Sequence, residues 1–151
     1  LEALADDLRR AGRRVGCTNG CFDILHRGHV ALLGRAKALG DVLIVGLNAD
    51  ASVRRLKGPT RPINRAADRA QVLAALSCVD HIVEFVEDTP ARLIELVRPD
   101  VYVKGGDYTL ATLPEAPLVQ RFGGEVRILA YLEDFSTTGI IARIEDRQAA
   151  P

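Results

Sequence analysis

Thr18-Asn19-Gly20-Cys21-Phe22-Asp23-Ile24-Leu25-His26-Arg27-Gly28-His29 joins a short strand-like run at residues 14–18 to a helix-like run at residues 28–39, which Gly40 closes. Residues 41–47 (DVLIVGL) then form a continuous apolar run, the mark of a strand buried on both faces. A histidine near a turn is usually a solvated or satisfied side chain. His26 and His29, however, stand three residues apart at a helix entrance and so lie on one side of its first turn. Gly28 between them lacks a Cβ and lets a ligand approach the backbone. The helix N-terminus offers unpaired N–H groups and the positive end of its dipole, which suit phosphate. Gly20, Phe22 and Asp23 precede the pair at a strand-to-helix junction, the context that a phosphate-site motif requires.

Further along, strands and helices keep alternating. Residues 1–12 have helical spacing, with Leu1, Leu4 and Leu8 on one face and Gly12 as the stop, so 1–13 is an N-terminal helical segment. The first strand ends in an Asn19-Gly20 turn. Residues 64–77 read as a helix with Asn64 as N-cap. Residues 81–86 are a third strand, and 89–97 a helix with Thr89 as cap and Pro90 at its first position. Residues 100–103 and 125–129 are the fourth and fifth strands. A last helix covers about residues 137–146, and the tail, 147–151, frays. This pattern predicts a single α/β domain over residues 1–151: a Rossmann-like, doubly wound, five-stranded parallel sheet with helices on both faces. Ligands of such sheets bind beyond the carboxyl ends of the strands where strand order reverses.

The chain has 151 residues, 48% hydrophobic and 26% charged, with zero formal net charge. That length suffices for one domain with a core. Neutrality argues against a nucleic-acid or membrane-surface binder, and no apolar run approaches the ~20 residues that span a bilayer. Cys17, Cys21 and Cys78 lack the two close pairs of a structural zinc site and suit a reducing cytoplasm. A chain that starts at Leu1 is expected to be trimmed or part of something longer.

Arg54, Arg55, Lys57, Arg61, Arg65 and Arg69 make one segment locally basic. Arg54 and Arg65 read as a solvated face. Lys57, in a loop-like Lys57-Gly58-Pro59, and Arg69 read as phosphate contacts. Ser136-Thr137-Thr138 opens the last helix and can both cap it and cradle a polyphosphate. Gly105-Gly106 bends the chain after the fourth strand and frees N–H groups, while Asp107 and Tyr108 could equally serve the turn. His81 is assigned to structure. Cys21 could be a thiol nucleophile, although nucleotide transfer needs no covalent step. No carboxylate cluster suggests a metal cage, so magnesium would arrive on a triphosphate.

Gly20-Cys21-Phe22-Asp23 with His26-Arg27-Gly28-His29 resembles the signature of the cytidylyltransferase-like nucleotidyltransferases, and Ser136-Thr137-Thr138 matches the end of their second motif. Within that superfamily the chain looks most like the adenylyltransferase domain of bacterial ADP-heptose synthesis, through TNGCFDILHRGHV, LNADASVRRLKGPTRPIN, EDTPARLIELVRPDVYVKGGDY and GGEVRIL with EDFSTT. The resemblance implies attack by D-glycero-β-D-manno-heptose 1-phosphate on the α-phosphorus of ATP, with pyrophosphate leaving. It gives His26, His29 and Lys57 the catalytic charge-stabilising roles. Thr18, Asn19, Gly20, Phe22, Gly28, Arg69 and Ser136 to Thr138 would hold the nucleotide. Asp23, Lys104, Gly105 and Asp107 would serve the acceptor or the ribose. Many relatives carry an arginine before the serine-threonine pair, where this chain has Tyr131-Leu132-Glu133-Asp134-Phe135. Expected partners are ATP, a sugar 1-phosphate and a heptose kinase domain or protein, with a homodimer left open. Two other readings stand beside this one: a cytidylyltransferase acting on glycerol 3-phosphate or another small phosphate, and a nucleotide-binding module without catalysis.

Overall fold

The structure, a computed structural model, describes residues 1–132 and 135–149. Its five parallel strands are β1 (Val15–Gly20), β2 (Val42–Asn48), β3 (His81–Phe85), β4 (Val101–Gly105) and β5 (Glu125–Leu129), in the order β3-β2-β1-β4-β5. The helices are α1 (Glu2–Arg10), α2 (Arg27–Lys37), α3 (Asp50–Lys57), α4 (Ala66–Ala74), α5 (Ala91–Val97), α6 (Ala116–Arg121) and α7 (Thr137–Ala149).

The alternation inside the apolar run of β2 builds both cores. Val42 and Ile44 point to one face, where they meet Val15, Cys17, Tyr102 and the α5 residues Leu93, Ile94 and Val97. Leu43, Val45 and Leu47 point to the other, where Leu33 and Ala36 of α2 and Leu73 of α4 cover them. The chain moves outward from β1 to β3 with its helices on the α2/α4 face, then returns to β4 and β5 with α5 and α6 on the opposite face. Right-handed crossovers require this change of face when the direction of travel reverses. The reversal falls between β1 and β4, so their carboxyl ends flank the crevice that such sheets use for ligands.

Several boundaries correct the sequence reading. β1 does not stop at an Asn19-Gly20 turn: both residues pair with β2, Asn19 opposite Gly46 and Gly20 opposite Leu47. Asn64 is not a cap, because α4 starts at Ala66 after Arg65 and Asp23 takes the Asn64 N–H. Pro90, not Thr89, precedes α5. Helix α7 extends through Ala149, and the rest of the expected tail, residues 150–151, lies outside the described residues. Helices α3 and α6 were not expected. Both are short, and α6 starts beside Pro117, which a first helical turn tolerates.

Candidate active site

A cleft of about 580 Å³ opens at the carboxyl ends of β1 and β4. Its walls come from the loop after β1, the start of α2, the end of α3, the end of β4 and the start of α7.

His26 occupies the N-cap position of α2. Its Nδ1 accepts the Gly28 N–H at 3.1 Å, and its own N–H reaches His29 Nδ1 at 3.4 Å. The rings stack with centroids 3.9 Å apart. With both Nδ1 atoms accepting, the neutral rings carry their protons on Nε2, and both histidines line the cleft. Burial draws the pKa of His26 below the ordinary value, and burial followed by the neighbouring His26 draws His29 to about 4. Both are therefore neutral donors near pH 7. Gly28 is required by packing: a Cβ there would lie 2.9 Å from His26 Cε1 and 3.0 Å from Phe135 Cβ.

Phe22 and Ile24 hold positive φ angles of 47° and 53°, so the loop between β1 and α2 doubles back sharply. The Phe22 ring tilts against His29 with centroids 5.4 Å apart. Asp23 fixes the loop from the other side. It accepts Arg61 Nε at 2.8 Å, the Ile63 N–H at 2.7 Å and the Asn64 N–H at 3.0 Å. Burial pushes its pKa up, but these donors outweigh burial and leave it below the ordinary carboxylate value. Asp23 lines the cleft with both oxygens already engaged.

The other expected residues divide clearly. Asn19, Gly20, Phe22, Gly28, Lys57, Lys104, Gly105 and Ser136 to Thr138 all line the cleft with the histidines. Lys57 does so as the last residue of α3, not from a loop. Ser136 Oγ accepts the Gly139 N–H at 3.0 Å and caps α7, while Thr137 Oγ1 donates to the Asp23 carbonyl at 2.6 Å. Arg69 is 2% exposed and is not among the residues that line the cleft. Its guanidinium donates to Asn64 O, Cys21 O and Asp50 Oδ1, so it braces the loop. Thr18 does not line the cleft either: β1 runs two residues past it, and it is completely buried. Asp107 is exposed and outside the cleft wall. Cys21 lines the cleft, but burial raises its pKa, so it is a neutral thiol and a poor nucleophile. Glu133 and Asp134 of the expected loop lie outside the described residues.

Sequence reasoning missed Arg61 and Glu115, both on the cleft wall. Arg61 was visible as a member of the basic run, but its pairing with Asp23 spans 38 residues and leaves no local pattern. Glu115 follows a proline in a stretch that carried no signal.

A parallel sheet with this crevice, a stacked histidine pair at a helix N-terminus and a lysine lining the same cleft defines a nucleotidyltransferase. The cytidylyltransferase-like family profile matches residues 17–143, and the chain belongs to that family. It is 54% identical over 97% of its length to the bifunctional protein HldE of Syntrophotalea carbinolica, and 56% identical over 94% to that of Pseudomonas aeruginosa strain LESB58. It spans about 30% of the length of each of these relatives. Among solved structures, the lipopolysaccharide core biosynthesis protein from Thermoplasma volcanium superposes with a TM-score of 0.66 at 29% identity, over 80% of this chain and 98% of that one. Pantothenate synthetase from Thermus thermophilus shares the fold with a TM-score of 0.65 at 20% identity, over 97% of this chain and 69% of that one. No helix among the described residues is long and apolar enough to cross a membrane.

Proposed function

We propose that this domain transfers AMP from ATP to D-glycero-β-D-manno-heptose 1-phosphate, releasing pyrophosphate and forming ADP-heptose. The observation that carries the chemistry is the stacked His26–His29 pair with both Nδ1 atoms engaged by backbone N–H groups. Two fixed neutral donors suit charge that grows on the α-phosphate and on leaving pyrophosphate during in-line attack by the sugar-phosphate oxygen. Lys57 lines the same cleft, and an ammonium suits those oxygens. The α7 N-terminus at Ser136 to Thr138 faces the same space and suits the triphosphate. Among the described residues, no three His, Cys, Asp or Glu side chains converge on a point. Magnesium would therefore enter as part of the ATP substrate, held by triphosphate oxygens.

Adenylyl transfer to a heptose phosphate is supported by the identity to the HldE proteins, which exceeds half of the positions over nearly the whole chain. Those relatives are bifunctional and far longer, and a heptose kinase domain or protein is the proposed partner. A reaction fed by ATP belongs in the cytoplasm. The test is pyrophosphate release with ATP or CTP and magnesium, with and without heptose 1-phosphate, in the wild type and His29→Ala. Release that needs ATP and the heptose together, and collapses in the variant, supports the reading. Release with CTP and another phosphate overturns the substrate. Tight ATP binding with no release from any pair overturns catalysis.

A further inference from the structure

Asn48 ends β2, pairs with Phe85 of β3 and is 3% exposed, yet it lines the cleft. Its Nδ2 donates to Ser52 Oγ at 2.9 Å, and Ser52 Oγ donates to the Glu87 carbonyl at 3.1 Å. A serine hydroxyl has one proton. With that proton on Glu87, Ser52 can only accept from Asn48, so the amide nitrogen faces Ser52 and the amide oxygen faces away from it. The reverse amide would set two oxygens against each other or leave the Glu87 carbonyl without its donor. Among the described residues, Asn48 Oδ1 has no hydrogen-bond partner, and it is not sealed: the sealed side-chain oxygens without a partner are Thr18 Oγ1 and Glu115 Oε2. Asn48 Oδ1 is therefore a fixed acceptor open to the cleft.

Asp88 adds a second acceptor. It lies in the loop after β3, lines the same cleft and is half-exposed. Arg55 Nε holds its Oδ1 at 2.7 Å, and its Oδ2 has no hydrogen-bond partner among the described residues. Arg55 also donates to the Val86 carbonyl at 2.7 Å, so this loop has an anchor besides Ser52. Two open acceptors from the ends of neighbouring strands suit a ligand that brings several O–H donors, as a sugar does. β5, which leads to the phosphate-suited α7 N-terminus, is the opposite edge of the sheet from β3. In-line transfer sets the attacking and leaving oxygens on opposite sides of phosphorus, which leaves the β2–β3 end to the acceptor. Resting on the nucleotidyltransferase reading above, we propose that Ser52 is a positioning residue, which turns the Asn48 carbonyl into the cleft to accept a hydrogen bond from a hydroxyl of the acceptor sugar, with Asp88 Oδ2 accepting from another.

Steady-state pyrophosphate release tests it, with heptose 1-phosphate varied at saturating ATP and magnesium, and then ATP varied at saturating heptose 1-phosphate. The proteins are the wild type, Ser52→Ala, Asn48→Leu, Asn48→Asp, and Ser52→Ala combined with Asn48→Asp, each checked by a melting curve. Asn48→Leu removes the acceptor and is expected to raise the KM for heptose 1-phosphate about fivefold or more, the loss of one hydrogen bond. Ser52→Ala frees the amide to turn and raises the same KM about threefold or more. Asn48→Asp holds the KM near the wild-type value, because either carboxylate oxygen accepts. In that background Ser52→Ala adds no further rise, since a carboxylate has no wrong end to turn inward. An equal rise from Ser52→Ala in both backgrounds would make Ser52 a structural residue only and overturn the proposal. A loss confined to kcat, or carried by the KM for ATP, overturns it as well. If Ser52→Ala does not fold, the two single Asn48 variants still decide, and an equal KM for heptose 1-phosphate in both sinks the idea. A wild type that releases no pyrophosphate from ATP and heptose 1-phosphate overturns the underlying reading and this one together. A wild type that turns over, with variants that leave the acceptor KM unchanged, overturns this inference alone.

Discussion

Arg69 Nη1 donates to the carbonyl oxygen of Cys21, 48 residues earlier in the chain, at 2.5 Å. The same guanidinium holds Asp50 Oδ1 at 2.7 Å and the Asn64 carbonyl at 3.0 Å. One buried side chain thus ties the loop after β1 to the first turn of α3, the helix that ends in Lys57, and to the entry of α4. Removing it leaves the Cys21 and Asn64 carbonyls without this donor, while Asp50 Oδ1 keeps only the Ala66 N–H, so Arg69→Ala is expected to lose about 3 kcal/mol in urea unfolding. Arg69→Lys is expected to recover only part of this, because an ammonium cannot span three divergent acceptors as the planar fork does.

Gly28→Ala probes the histidine pair without touching a titratable group. Alanine improves helix propensity by about 1 kcal/mol over glycine. Its methyl would however press on the His26 ring and on Phe135, at 2.9 and 3.0 Å. The expected result is little change in thermal stability with kcat reduced about tenfold or more, since the ring must leave its bond to the Gly28 N–H. Steady-state pyrophosphate release and a melting curve on the same preparation check both halves.

The fold was legible because its signals are local. The apolar run at β2 and the alternation of strands with helices required only neighbouring residues, and β5 was located to the residue. The histidine pair was legible for the same reason, since both members lie on one helical turn. The bracing contacts of Arg69 were not legible, because an arginine in a basic run looks the same whether it faces solvent or three buried acceptors. Its partners are two backbone carbonyls and a carboxylate brought together only by the tertiary fold. The end of β1 was not legible either: two more paired residues carry the strand past Thr18.

The pKa of His29 sets a pH dependence of stability. Its folded value is about 4, below an unfolded value near 6.5, because burial and then the His26 charge oppose protonation. Below pH 6.5 the unfolded chain takes up a proton that the folded chain refuses. The stability is therefore fully present above pH 6.5 and is lost progressively as pH falls towards 4, by roughly 2–3 kcal/mol. Asp23 acts in the same direction at lower pH, since its folded pKa is depressed below 3.8 and its stabilisation disappears only as pH falls through that folded value. Urea titrations at pH 7, 6, 5 and 4 are expected to show the slope in the wild type and a flatter one in His29→Asn. Equal slopes would mean that His29 protonates freely in the folded protein.

The hydroxyls at the start of α7 can be separated by what each already does. Ser136 Oγ accepts the Gly139 N–H, and a cap of this kind contributes about 1 kcal/mol, so Ser136→Ala should lower stability by that amount. Thr137 Oγ1 donates to the Asp23 carbonyl and so pins α7 to the loop beneath the histidines. Thr137→Val keeps the shape but strands that carbonyl, and is expected to cost about 1–2 kcal/mol with a modest change in the KM for ATP. Thr138 also lines the cleft. If the α7 N-terminus receives the triphosphate, Thr138→Val should raise the KM for ATP roughly tenfold, the loss of a hydrogen bond to a charged oxygen, while the melting temperature stays put. The opposite pattern, in which Thr137→Val carries the kinetic effect and Thr138→Val none, would mean that the nucleotide displaces the Thr137–Asp23 bond. Helix α7 would then be a part that shifts on binding rather than a preformed cradle.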